Sequence, residues 1–256
     1  MIARKDLVTT VRLDELPPTA RTERVGLGAG RVLELLVVPL MDGTDETLAG
    51  VMAAVSRWVA AAARPGGPPL VTLPLYGCHV AWAAERAAVA GPAERLGELE
   101  AAVVEFAAQE AELHGAEEHV DQLLGLLDAD AAVAFACDDR DLARRAELSS
   151  RFRAAVDLRR RLALLAPRVH PPPLHPPTLA AQVGERLRER SRLVERLDYA
   201  IDRAELAERV YETCGQRVSE LGIARRQMGL EWAIVILLVI QTALLLVDLL
   251  ASRAAS

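Results

Sequence analysis

His114, Glu117, Glu118 and His119 put two imidazoles and two carboxylates within six consecutive positions. Those side chains hold zinc or move protons in many proteins. A zinc-binding helix needs its histidines four apart on one face, and these are five apart. A solvated helix junction is therefore expected here. Cys78-His79 pairs a thiol with an imidazole, the two halves of a cysteine nucleophile. The pair lies in a predicted strand, where neighbours point to opposite faces, so the two cannot meet. His170 and His175 fall among prolines and are expected to be exposed. The glutamates between residues 92 and 113 read as the charged solvent face of a helix, not as paired acids in a cleft.

Gly26-Leu-Gly-Ala-Gly30 has the look of a dinucleotide loop. Such a loop follows a strand and opens a helix. Here polar Arg21–Arg24 precedes it and strand-like Val32–Val38 follows, so a turn is expected. No Ser-His-Asp, P-loop or deaminase pattern occurs. The chain is read as non-catalytic, with no catalytic, cofactor-binding or metal-ligating residue and no cofactor.

The elements that would position these residues alternate along the chain. Val8–Leu13 has strand composition and ends at Leu16-Pro-Pro18. Val32–Val38 reads as a core strand. Thr44 or Asp45 caps a helix bearing Leu48, Val51, Val55, Trp58, Val59 and Ala62. Arg64–Pro69 stops it. Leu70–Trp82 reads as two strands pivoting near Pro74 or Gly77. A helix from Pro92 carries Leu96, Leu99, Val103, Phe106 and Leu113. Val120, Leu123, Leu124 and Leu127 suggest another, Ala131–Ala136 a strand, and Leu142–Leu165 a helix. An α+β domain over 1–165 is the result. Pro167, Pro171–Pro173, Pro176 and Pro177 mark a linker over 166–178 that cannot be helical. A helical stalk over 179–229 follows. Its stripe, Val183, Leu187, Val194, Leu197 and Ile201, resumes after a phase shift at Leu206, Val210, Cys214, Val218 and Leu221. Gly215 or Gly222 is the expected place for a break.

The stretch Leu230–Ala251 dominates the chain. From Trp232 to Ala251 only Gln241, Thr242 and Asp248 interrupt the apolar run. About 20 helical residues span ~30 Å, the thickness of a bilayer's hydrocarbon. A single transmembrane helix at 230–251 is expected, with Trp232 at headgroup level. Only five residues follow it, so the chain reads as tail-anchored. Arg217, Arg225 and Arg226 precede the span and Arg253 alone follows it, which leaves the large domain cytoplasmic. The first ten residues have no apolar signal core. An inner-membrane, single-pass protein is the expected localisation. Gln241, an amide within hydrocarbon, predicts a homo-oligomer.

Charge excludes one class of partner. Of 256 residues, 52% are hydrophobic and 4% aromatic, and net charge is −6. Residues 1–130 carry 10 basic and 20 acidic side chains, and 131–256 carry 20 and 16. An acidic first half does not suit direct nucleic-acid binding. The basic second half suits anionic lipid. Cys78, Cys137 and Cys214 include no CxxC pair and read as reduced thiols.

Leu193-Val-Glu-Arg196-Leu197-Asp198 and Leu230-Glu231-Trp232-Ala-Ile-Val-Ile-Leu-Leu-Val-Ile-Gln241 together resemble the "required for meiotic nuclear division" family, a domain of unknown function shared by bacteria, yeast and mitochondria. Its members typically carry Leu-Asn-x-Arg-Leu-Asp in a membrane-proximal helix. A Leu-Glu-Trp then opens one C-terminal span. Residues 179–250 follow that order and spacing. Tyr76–Trp82 is similar to a family strand, and Phe152–Leu162 lies where the family has a helix. Val194 stands where the family has asparagine, and Gln241 where it has glutamate. The resemblance implies a membrane-anchored, oligomeric protein; the mitochondrial members support organellar translation at the inner membrane. The combined expectation is a scaffold or tether that contacts lipid, other copies of itself and an unidentified protein. The alternatives are an enzyme or small-ligand module in residues 1–165, and a small pore.

Overall fold

The structure, a computed structural model, describes residues 5–7, 16–28, 30–40, 45–62, 70–172 and 176–254, with backbone alone for 5–7, 45–48 and 245–254. The strand expected at Val8–Leu13, Thr44 of the two cap candidates, the Arg64–Pro69 stop, and Pro173 and His175 of the linker lie outside the described residues; Asp45, the other cap candidate, is the first residue of α1 (Asp45–Ala60). The chain divides into two compact units. One comprises Met1–Val120 with Leu158–Asp202, the other Asp121–Asp157 with Arg203–Ser256.

The first unit is built on a mixed sheet of β1 (Lys5–Leu7), β2 (Arg21–Gly28), β3 (Arg31–Pro39), β4 (Val71–Leu75), β5 (Cys78–Ala83) and β6 (Arg86–Gly91). The strand order is β1-β2-β3-β6-β5-β4. Only the central β3–β6 pair is parallel. Helix α1 (Asp45–Ala60) follows β3 and, with β4 and β5, makes up the long connection that a return to a parallel neighbour requires. It covers one face of the sheet, where Val55, Trp58 and Val59 pack with Leu36, Val38, Ala81, Ala88 and Ala90. The other face carries Leu33, Leu35, Val37, Val80, Trp82 and Val89, all essentially inaccessible. Helix α2 (Ala93–Phe135) lies against it. Phe106 of α2 meets Trp82 edge-on at 4.9 Å, a contact worth about 0.5–1.5 kcal/mol beyond burial.

Strands β2 and β6 were not legible. β2 opens on the polar run Arg21-Thr22-Glu23-Arg24 and ends in glycines, and its Arg21 is paired with Glu23 and Glu100. β6 is half alanine, a poor strand former. It sits between β3 and β5, where Ala87, Ala88 and Ala90 are wholly buried. Close packing by helices on both faces favours alanine there. The turn expected at Gly26–Gly30 is shorter than that: Gly26–Gly28 is still strand, with a register shift against β3, and Gly28 and Gly30 take positive φ where β2 gives way to β3.

The helices depart most from expectation. α2 is one helix of 43 residues. It absorbs both predicted helices and the strand predicted at Ala131–Ala136, which is helical to Phe135. Its glycines each cost about 1 kcal/mol against alanine, too little to stop a helix whose buried side chains recur on one side. α3 (Arg145–Val169) contains Pro167. The linker expected from 166 therefore begins only after Val169, which is itself buried. A proline in the last turn sacrifices one hydrogen bond, and the helix still closes with His170 N–H donating to Ala166 O. α4 (Leu179–Arg190) starts at Thr178, whose hydroxyl accepts from Ala181 N–H at 3.2 Å. α5 (Leu193–Ala254) runs through Gly215 and Gly222 without a break. The break falls instead at Ser191–Arg192, where Arg192 takes φ 52°.

No phase shift occurs along α5. Its buried residues are Leu193, Leu197, Ala200, Ala204, Ala207, Tyr211, Cys214 and Val218, an unbroken alternation of four and three. That is the spacing of a helix packed lengthwise on others. Three alanines, invisible in a search for large apolar residues, keep it in phase.

Sheet edge β4 ends in a two-residue turn, Tyr76-Gly77, with both residues at positive φ. Asn-Gly is the preferred pair for such a turn, and tyrosine in this conformation costs about 1–2 kcal/mol. Tyr76 is exposed, and Arg95 binds only its backbone carbonyl. Tyr76→Asn should therefore stabilise the protein by about 0.5–1 kcal/mol and raise the melting temperature by about 1–4 °C in a thermal scan.

Candidate membrane interface

α5 is the one helix among the described residues that is long and apolar enough to cross a membrane. Its most apolar stretch has no buried residue. Leu230 and Trp232 are 66% and 63% exposed, and Ile234–Ile240 and Leu244 are similarly open. Glu231 accepts a hydrogen bond from Gln227 Nε2 at 3.4 Å one turn earlier. Thr242 returns its hydroxyl to Leu238 O at 2.7 Å. Gln241 is exposed. Every buried α5 residue lies at or before Val218, so the helix emerges from its packing about ten residues before Leu230.

The second motif, Leu193–Asp198, lies in the sheet-bearing unit and does other work. Leu193 and Leu197 are fully buried. Arg196 between them donates to both Glu110 oxygens at 2.8 and 3.0 Å. It also donates to both Glu117 oxygens at 2.9 and 2.6 Å. One planar guanidinium thus clamps two turns of α2 onto α5. Burial raises the Glu110 pKa, and the Arg196 charge only partly offsets it. Asp198 is largely exposed, 3.9 Å from His170. The α2 acids are not all a solvent face: Glu100 and Glu110 are buried. Gln109, also buried, donates to Arg168 O at 3.0 Å and so caps the end of α3.

The other unit contains a node that the sequence reading missed. Asp130 is wholly buried on α2 and takes ion pairs from Arg144, which precedes α3, and from Arg151 within it. Tyr211 and Cys214 of α5 close the node. The tyrosine donates to Leu123 O at 3.3 Å, and the thiol to Asp130 O at 3.4 Å. Burial, with the Asp130 charge, pushes the Tyr211 pKa up to about 12 and raises that of Cys214. The signal was present, because Val120, Leu123, Leu127 and Asp130 continue one inward series. A strand drawn at 131 cut it off.

The remaining reactive side chains are not assembled. Cys78 and His79 lie on opposite faces of β5. The sheet register pairs Cys78 with Leu75 and His79 with Pro74 and Ala90. Burial lowers the His79 pKa, which keeps the ring neutral at pH 7. His114 is half-exposed beside Glu117 and Glu118, at 3.7 and 3.5 Å. His119 contacts Gly115 O. Among the described residues no group of three histidines, cysteines or acids could hold a metal. A shallow groove beside β4, lined by Leu73, Pro74, Leu75, Arg186, Glu189, Arg190 and Arg192, has two of its arginines engaged. Arg190 donates to Thr72 O and Arg186 pairs with Glu189. Arg190 and the N–H-less Pro74 also guard this open sheet edge against strand pairing.

Arg196→Met should be costly because it strands Glu110 in the interior. The expected loss is about 3–5 kcal/mol at pH 8. Without Arg196 the folded-state pKa of Glu110 rises further above its unfolded value. The folded state then binds the extra proton, and stability falls as pH rises through that pKa. Denaturant melts should show a smaller loss at pH 5 than at pH 8. An equal loss at both would mean that the Glu110 charge is not what Arg196 offsets.

Comparisons with protein-family models, with curated proteins and with solved structures found no match.

Proposed function

We propose that this protein is a membrane-anchored scaffold or tether. α5 crosses the bilayer from about Leu230, and the two folded units stand on the cytoplasmic side of an inner membrane, where they present their surfaces to a protein partner. One observation carries the reading: the apolar stretch of α5 is helical and exposed from Leu230 to Leu244, while the helix is packed on one side up to Val218. In water that surface would be a liability. In hydrocarbon each Leu, Ile or Val there is worth roughly −0.3 to −0.6 kcal/mol. Arg217, Arg225 and Arg226 on the near side support the cytoplasmic orientation. Arg225 is paired with Asp139 on the connection between α2 and α3, which ties the folded unit to the helix just before the span. The resemblance of residues 179–250 to the meiotic-nuclear-division family supports the same reading.

The scaffold role is non-catalytic, and what supports this is the use made of the charged side chains. Arg196, Glu110, Glu117, Asp130, Arg144 and Arg151 are spent on joining helices. Rigid helix-to-helix connection is what a tether needs.

Fractionation of the native host tests the anchor. The full-length chain should stay with membranes through carbonate extraction. A chain ending at Arg226 should become soluble with an unchanged melting temperature, because it loses no buried side chain and keeps the Arg225–Asp139 pair. Release of the full-length chain by carbonate would overturn the reading.

A further inference from the structure

We infer that the face of α5 carrying Gln241 pairs, inside the bilayer, with the same face of a second copy of this chain; the inference rests on the membrane reading above. Within hydrocarbon every polar group needs an internal partner. Beyond Glu231, which accepts from Gln227 at the start of the span, the stretch has two polar side chains with described positions, and they differ. The Thr242 hydroxyl is satisfied one turn back at Leu238 O. The Gln241 amide has no hydrogen-bond partner among the described residues. An amide both donates and accepts, so two glutamines facing each other satisfy one another across a two-fold axis.

The structure also decides which face is free. At about 100° per residue, Gln241 lies roughly 120–180° around the helix from Tyr211, Cys214 and Val218, the residues that α5 buries in its unit. The packed face and the Gln241 face are therefore opposite. Ile223, five turns before Gln241, lies on the same line and is 63% exposed. A second copy can approach Gln241 without meeting the folded unit. Further up that line stand Glu205, paired with Arg209, and Glu212, where two copies would oppose like charges. Pairing is thereby confined to the span. The alternation from Leu193 to Val218 is not a self-association surface, as it is already buried within the chain. Both copies insert with the same orientation, so the pair is parallel and Gln241 falls opposite Gln241.

Disulfide scanning in native membranes tests this. The background is the full-length chain with Cys137→Ser, which leaves only the buried Cys78 and Cys214. Leu230→Cys and Ile234→Cys, about 20° from Gln241, should cross-link on oxidation with copper phenanthroline. Ile236→Cys and Val239→Cys, about 140–160° away, should not. Gln241→Leu should weaken dimer association in mild detergent about 3- to 30-fold. A chain that resists carbonate extraction yet shows no cross-linking, or equal cross-linking on both faces, overturns the pairing and leaves the anchor standing. Association unchanged by Gln241→Leu overturns the role of the amide. A chain found in the carbonate supernatant overturns the anchor itself, and the pairing with it.

Discussion

One unbroken helix, α5, carries two kinds of surface. Up to Val218 it buries one stripe against its own chain and shows charge on the other side. From Leu230 it is apolar all round, and no described element covers it. The change of character along one unbroken helix constrains everything else. The chain that packs on α5 must turn back before the apolar part begins. The α2–α3 connection does so where Asp139 pairs with Arg225 and Leu142 lies 3.7 Å from where a side chain on Gly222 would sit.

The early part of α5 is mostly small. Ala200, Ala204 and Ala207 let neighbouring backbones approach closely but contribute little apolar area. Charged clamps supply what the small side chains cannot. Arg196 on Glu110 and Glu117 in one unit, and Arg144 and Arg151 on Asp130 in the other, fix register between helices. A buried ion pair gains little net free energy over a packed apolar pair. Its loss on mismatch is large, which makes it a device for specificity: a helix that slides by one turn leaves a carboxylate alone in the interior.

In the sheet unit, the same economy explains the alanine-rich β6. Helices lie on both faces of the central strands, so small side chains in the middle bring both layers close, while Trp82, Phe106 and the leucines fill the flanks. The Arg86 guanidinium pairs with Glu34 of β3 and lies over the face of Trp58 of α1, so one side chain joins β6 to both.

The apolar run at 230–251 was plain from the sequence, because lack of charge from Trp232 to Val247 is a local property. So were the core strand at Val32–Val38, the β4–β5 hairpin around Tyr76-Gly77, a turn within Gly26–Gly30, and the opposition of Cys78 and His79. Each depends on composition or period within about ten residues. Tertiary structure decided the rest. Ala131–Phe135 is helical because it continues the inward series of α2, and Pro167 is helical because the turn around it packs. β6 is a strand because two neighbours pair with it, not because alanine prefers to be one. The division into units was beyond sequence reading for a related reason. Three helices each pass from one unit to the other, so the division falls within helices and not at any proline. Glu110, Asp130 and Arg196 look like surface charges in a list of residues; only a partner brought from some 14 to 86 positions away turns each of them into an interior clamp.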